Sequence, residues 1–326
     1  MRPEISVVTC SHNPRPDYLK QVLAALQSQT LDKQRWEYVF VDNANDELLE
    51  ARVDLSWHPN SRHIREEKLG LTPARLRGIQ ESAGDILVFV DDDNVLDVDY
   101  LEQVVRIASE WPTLGSWSGQ TRAGFETPPA EWTKRYWGNL AIRGLDQDLW
   151  SNLPHLPETM PCGAGLCVRR TVASQYAHLH SSGKRRFILD RAGHSLVSAG
   201  DNDLAACACD LGLGVGLFVA LKLIHLIPAV RLEEEYLIRL VESIAYSGVI
   251  FRSFRSSATS YQQTWTGRIA DLARQLLMSQ PDRRLFRAYK RGESRAAKYL
   301  SDLQFNDKST EQLLEGIQQH ESPETT

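Results

Sequence analysis

Ile86-Leu87-Val88-Phe89-Val90-Asp91-Asp92-Asp93-Asn94 is the stretch that decides the fold. Its first five residues are apolar without interruption, which suits a strand covered on both faces. The strand runs straight into three adjacent carboxylates. Working outward, Ile5 to Thr9 is a short strand followed by the polar loop Cys10 to Pro16. Leu19, Val22, Leu23 and Leu26 then recur at helical spacing behind Asp17, a candidate cap. Tyr38 to Val41 is a second strand, ending at Asp42-Asn43. Thr72-Pro73 has the form of a helix cap and first position, and that helix ends near Ala83-Gly84. Beyond the acidic run, Leu101, Val104, Val105 and Ala108 form another helix face. This alternation predicts an α/β fold: a doubly wound, mostly parallel sheet with helices on both faces. Ligands of such sheets gather beyond the carboxyl ends of the strands. Residues 9–13, 42–46 and 91–94 are polar clusters at three such ends.

The 326 residues are 42 % apolar and 24 % charged, which excludes wholesale disorder and leaves ample material for a core. A net charge of −5 argues against nucleic acid as a partner of the whole chain. Five cysteines, Cys10, Cys162, Cys167, Cys207 and Cys209, form no C-x-x-C pair, so neither zinc nor a disulfide framework is expected and a cytoplasmic location fits. Met1-Arg2-Pro3-Glu4 leads directly into strand-like sequence rather than a secretory signal. The apolar stretch Leu211 to Val230 contains Lys222, His225 and Pro228, and reads as buried strands rather than a membrane span. From about Leu232 the chain reads as helical.

Three adjacent carboxylates repel one another unless a cation or a proton relieves them. Alternate residues of an extended chain point the same way, so Asp91 and Asp93 are placed to share a face. Carboxylate, water and phosphate oxygens suit Mg2+ or Mn2+; a solvated acidic turn is the alternative. The order of motifs along the chain narrows this choice. Ile5 to Thr9 with Asn13, Phe40-Val41-Asp42-Asn43, Ala74-Arg75 between Gly70 and Gly78, and Gly84-Asp85 before Asp91-Asp92-Asp93 come first. Cys162-Gly163-Ala164-Gly165 and Asp201-Asn202-Asp203-Leu204 follow. Over roughly residues 4–230 this order resembles family 2 glycosyltransferases of the GT-A fold.

The resemblance implies an inverting transfer of a sugar from a nucleoside-diphosphate donor, a UDP-sugar above others, to a hydroxyl of a glycan or lipid-linked acceptor. It places polysaccharide biosynthesis among the expected contexts. Thr9, Asn13, Asp42, Asn43, Arg75, Asp91 and Asp92 would bind the donor, although Leu76 stands where the family usually has asparagine. Asp93 would hold the metal, with His225 as a second contact. Asp201 would be the general base, with Gly200 where the usual motif has glutamate. Gly163 and Asp203 would lie toward the acceptor. The implied domain spans 1–230, with a donor half to about 115 and an acceptor half over 116–230, followed by a helical region over 231–326.

Five of the eight tryptophans fall between Trp111 and Trp150, which suggests sugar stacking; Trp117 and Trp137 are the candidates, with core packing as the alternative. Residues 252–298 carry eleven Lys/Arg against three acids. Arg284, Arg287, Arg291, Arg295 and Lys298 share one helix face there, which suits either a solvated face packed on the catalytic domain or peripheral contact with an anionic membrane at its inner face. Two competing readings have discriminators. A haloacid-dehalogenase-type phosphohydrolase normally opens its domain on the D-x-D motif, and here four elements precede it. A non-catalytic sugar-nucleotide-binding protein would tolerate loss of a carboxylate, yet Asp93 and Asp201 are both present.

Overall fold

Apolar strand segments and the helices between them build one layered unit. The computed structural model describes residues 2–184, 189–191, 195–255, 271 and 274–320, in two compact units, 1–240 and 241–326. The described strands are β1 (Ile5–Ser11), β2 (Trp36–Asn43), β3 (Ser61–Glu66), β4 (Ile86–Phe89), β5 (Asn94–Leu96), β6 (Leu114–Phe125), β7 (Leu149–Ser151), β8 (Leu166–Arg169) and β9 (Gly214–Ile227). Among them run α1 (Pro16–Gln27), α2 (Leu71–Glu81), α3 (Tyr100–Glu110), α4 (Arg170–Ser181) and α5 (Gly200–Asp210).

β3, β2, β1 and β4 lie side by side in that order and are parallel. Every residue of β2 and β4 is buried, as two-sided cover requires. Alternation along the strands sends successive side chains to opposite faces. Val7, Tyr38 and Phe40 share a core cluster with Leu19 and Val22 of α1 and Leu101 and Val104 of α3. Val8 and Val41 face the other way, against Gly78 of α2. The doubly wound expectation therefore holds. Past β4 the sheet becomes mixed: β8 is antiparallel to β4 and β6, β9 is parallel to β6, and β5 and β7 pair antiparallel with β9. Leu211 to Val230 does not divide into several strands; its centre is the single strand β9.

The chain winds outward from β1 to β2 and β3, then returns to lay β4 on the other side of β1. The strand order thus reverses between β1 and β4, and their carboxyl ends open a crevice. One local expectation shifts. α2 begins at Leu71 with Gly70 as its cap residue, so Thr72 lies inside the first turn instead of capping it.

In the second unit, α6 (Glu234–Ser253) enters from the first, and α7 (Gln280–His320) follows. Leu285, Ala288 and Ala296 of α7 are buried. Arg284, Arg287, Arg291, Arg295 and Lys298 are exposed on another face. Arg291 and Arg295 both pair with Glu242, at 2.9 and 2.6 Å. The basic segment expected over 252–298 falls partly on 256–270 and 272–273, outside the described residues. No described helix is long and apolar enough to cross a membrane.

A candidate active site at the carboxyl ends of β1 and β4

A cavity of about 350 Å³ lies at the reversal point. Its wall includes Ser11, Asn43, Arg75, Asp91, Asp92, Asp93, Gly163, Asp201, His225 and Arg231. The acidic run arrives there because β4 ends at Phe89 and the chain turns into β5. β5 pairs with β9 so that Asn94 faces His225, and the Leu226 amide donates to the Asp93 carbonyl at 2.8 Å. This register brings Asp93 and His225 together across 132 residues.

Asp93 Oδ2 is 3.3 Å from His225 Nε2 and 3.0 Å from Arg231 Nη1, while Asn94 donates to Oδ1 at 2.8 Å. His225 Nδ1 lies 2.9 Å from the Leu140 carbonyl. A carbonyl only accepts, so Nδ1 carries a proton, and Nε2 faces both Asp93 Oδ2 and Arg231 Nη1, the latter at 3.1 Å. Asp92 accepts a hydrogen bond from Ser11 Oγ at 2.6 Å. The three carboxylates are held differently. Burial pushes Asp91 up to about 6, against the pull of Arg75. Burial and the neighbouring Asp93 charge push Asp92 up to about 7. Burial acts on Asp93 as well, but His225 and Arg231 outweigh it and hold the carboxyl below the usual range.

Asp201 stands in the first turn of α5, where its Oδ1 accepts the Asn202 amide at 2.9 Å and its Oδ2 accepts the Gly163 amide at 2.5 Å. Gly163 is wedged between functional groups. A Cβ there would lie 3.0 Å from Arg75 Nη2 and 3.1 Å from Asp201 Oδ2, so glycine allows the close approach. Arg75 is 2 % exposed and pairs with Asp190 at 3.2 Å. It also faces Asp91 and Asp201.

Several expected site residues do not reach this cavity. Thr9 is fully buried one pleat repeat below Ser11, and Ser11 lines the wall in its place. Asn13 lines a different cavity, with φ at +48° and its amide donating to Asn45 Oδ1. Asp42 is occupied: Asn45 Nδ2 and Arg65 Nη1 donate to Oδ1, each at 2.6 Å, and the Leu49 amide donates to Oδ2 at 2.8 Å. It shapes the loop after β2. Trp117 has no exposed face to offer a sugar; it is fully buried, with Arg169 5.6 Å above its ring. Trp137 packs on Phe125 at 4.9 Å, while its neighbours Asn139 to Ala141 line the wall. Asp203 is 2 % exposed and is not among the residues of the cavity wall. Cys162 and Cys167 are free thiols.

Sequence reasoning missed Ser11, Arg231 and Asp190. The pleat offered a signal for Ser11, two residues beyond Thr9. Neither of the others stands in a recognisable pattern. A larger cavity of about 800 Å³ lies between α1 and residues 45–57; its wall carries Asp46, Glu47, Asp54 and Arg52 but no imidazole and none of the acidic run. Convergent polar chemistry favours the smaller one.

Residues 6–171 match the glycosyl transferase family 2 profile. The chain belongs to that family. A 113-residue segment, 33 % of this family 2 chain, is 28 % identical to EpsH of Bacillus subtilis (strain 168), whose name makes it a candidate glycosyltransferase. The match spans 31 % of EpsH. The structure resembles the mannosyltransferase PcManGT from Pyrobaculum calidifontis, solved with GDP-Man and Mn2+, at a TM-score of 0.55 and 14 % identity over 91 % of this chain and 87 % of that one. It also resembles S. aureus TarS 1–349, solved with UDP-GlcNAc, at 0.50 and 13 % over 91 % and 83 %. At these identities the likeness speaks for the fold, a GT-A-like arrangement.

Proposed function

We propose that this chain transfers a sugar from a nucleoside-diphosphate donor to an acceptor hydroxyl, in one displacement with inversion. The observation that carries the reading is the meeting of Asp91–Asp93, His225, Arg75 and Asp201 in one cavity at the sheet's reversal point. The donor half, to about residue 115, contributes Ser11, Asn43, Arg75 and the acidic run; the acceptor half, over 116–230, contributes Gly163, Asp201 and His225. UDP- and GDP-sugars are the donors to try first, because the two structural neighbours hold one of each.

The residues present fit Mg2+ or Mn2+. Asp93 would supply an oxygen and His225 its Nε2, side by side, with the Leu140 carbonyl orienting the ring. Among the described residues no three His, Cys, Asp or Glu side chains form a metal cluster. A cation held by two protein groups would keep waters and take substrate phosphates as its other ligands. When bound it would offset the charge that builds on the departing nucleoside diphosphate. Arg231, against Asp93, adds fixed positive charge at the same place. Ser11 orients Asp92 toward the donor. Asp201 accepts the proton of the attacking hydroxyl, and the Gly163 amide fixes its carboxylate. The acceptor is a glycan or a lipid-linked acceptor, met by peripheral contact at the inner face of a membrane. The test is release of nucleoside diphosphate from a panel of nucleotide sugars with Mn2+, in the wild type and in Asp201→Asn.

A further inference from the structure

Asp190 belongs to no motif, yet it has a built set of partners. It is 5 % exposed. Arg75 Nη1 donates to its two oxygens at 3.3 and 3.2 Å, and Thr72 Oγ1 donates to Oδ2 at 2.9 Å. The backbone beside it bridges two helix starts: the Leu71 amide donates to the Arg191 carbonyl at 3.0 Å, and the Gly200 amide to the Leu189 carbonyl at 2.9 Å. α2 carries Arg75, and α5 carries Asp201.

Position 200 is the second observation. A Cβ built on Gly200 would collide with the carboxyl carbon and both carboxyl oxygens of Asp190. Asp190 and any side chain at 200 therefore compete for one volume, directly before Asp201. This chain has glycine at this position, which leaves the volume to the Asp190 carboxylate. We infer that Asp190 supplies, from the preceding loop, the carboxylate that position 200 lacks. It is a positioning residue: it holds the buried Arg75 guanidinium at the cavity and ties the Asp201-bearing turn to α2. The inference rests on the proposed roles of Arg75 and Asp201. A buried guanidinium deprived of its partner is strongly destabilising, so the acid can be relocated but not removed.

The experiment is a four-protein cycle on the full chain: wild type, Asp190→Ala, Gly200→Glu and the double variant. It is read by thermal melting and by turnover of nucleotide sugar. Asp190→Ala should lower the melting temperature by about 10 °C and turnover by roughly 10²-fold, through a displaced Arg75 and Asp201. Gly200→Glu should also melt lower, because it crowds Asp190. The double variant should recover at least half of the melting loss and most of the turnover, a non-additivity expected only of groups that share one place. A double variant that melts at or below the sum of the two single losses overturns the inference, as does an Asp190→Ala indistinguishable from wild type. If Asp190→Ala does not fold, a folded double variant supports the exchange and an unfolded one refutes it. Melting needs no donor. A wild type without turnover on any nucleotide sugar would therefore count against the proposed function, while the exchange of carboxylates is still read from the melts.

Discussion

Asp201 is both a helix-start residue and a carboxylate in a cavity, and substitution separates the two jobs. Asp201→Asn keeps the shape and an oxygen for one of the two amides, Gly163 or Asn202, and loses the basicity. Donor affinity, measured by calorimetry, should stay within about twofold, while transfer should fall by roughly 10²–10⁴. A fall of less than about tenfold would leave Asp201 as a first-turn residue of α5 alone. The acidic run, Arg75, Gly163, Asp201 and His225 were legible as one locality because each stands at a strand end or turn in recognisable order. Thr9 and Trp117 misled for a shared reason: residue type says nothing of depth, and both are fully buried. Arg231 and Asp190 were out of reach because the Asp93 and Arg75 groups they pair with lie 138 and 115 residues away and no local pattern marks either one.

At the scale of elements, the strands were readable because covered strands are continuous apolar runs, and β2 and β4 are such runs. The switch to antiparallel pairing past β4 was not. β5, β7 and β8 are three or four residues long, too short to show a period. Packing around β2 makes its own prediction. His58 is 2 % exposed, 4.0 Å from the Trp36 ring, and its Nδ1 accepts the Asn60 amide. Burial, with Lys33 nearby, pushes the imidazole down to about 4. Between about 6.5 and that value the unfolded chain binds a proton that the folded one does not, so this contribution is lost as pH falls through the window. His58→Asn keeps an acceptor and removes the titration. Wild type should melt higher at pH 7, and the gap between the two proteins should narrow by several degrees at pH 5. A gap that is equal or wider at pH 5 would show that His58 is protonated in the fold.

For the whole molecule, the winding of the sheet decides where chemistry gathers, since one reversal of strand order joins segments from residue 11 to residue 231. The second unit carries a separate expectation. Arg284, Arg287 and Lys298 are exposed, and Arg287 donates to Gln275 Oε1 at 2.9 Å. A basic residue near an anionic surface contributes about 1 kcal/mol, within a Debye length of ~8 Å at physiological salt. The full chain should therefore co-sediment with anionic vesicles at low salt and release at high salt, more weakly after substitution of those three by glutamine. Absence of binding at low salt would assign the face to solvent. The central claim, that the cavity takes a nucleotide sugar through Asp93 and a divalent cation, is tested most directly by thermal shift. Wild type and Asp93→Asn are melted with Mn2+ and each of a panel of UDP- and GDP-sugars. A donor at a hundredfold excess over its dissociation constant should stabilise the wild type by about 2.7 kcal/mol, and Asp93→Asn should lose that shift. An equal shift in both proteins, or no shift with any donor, would contradict it.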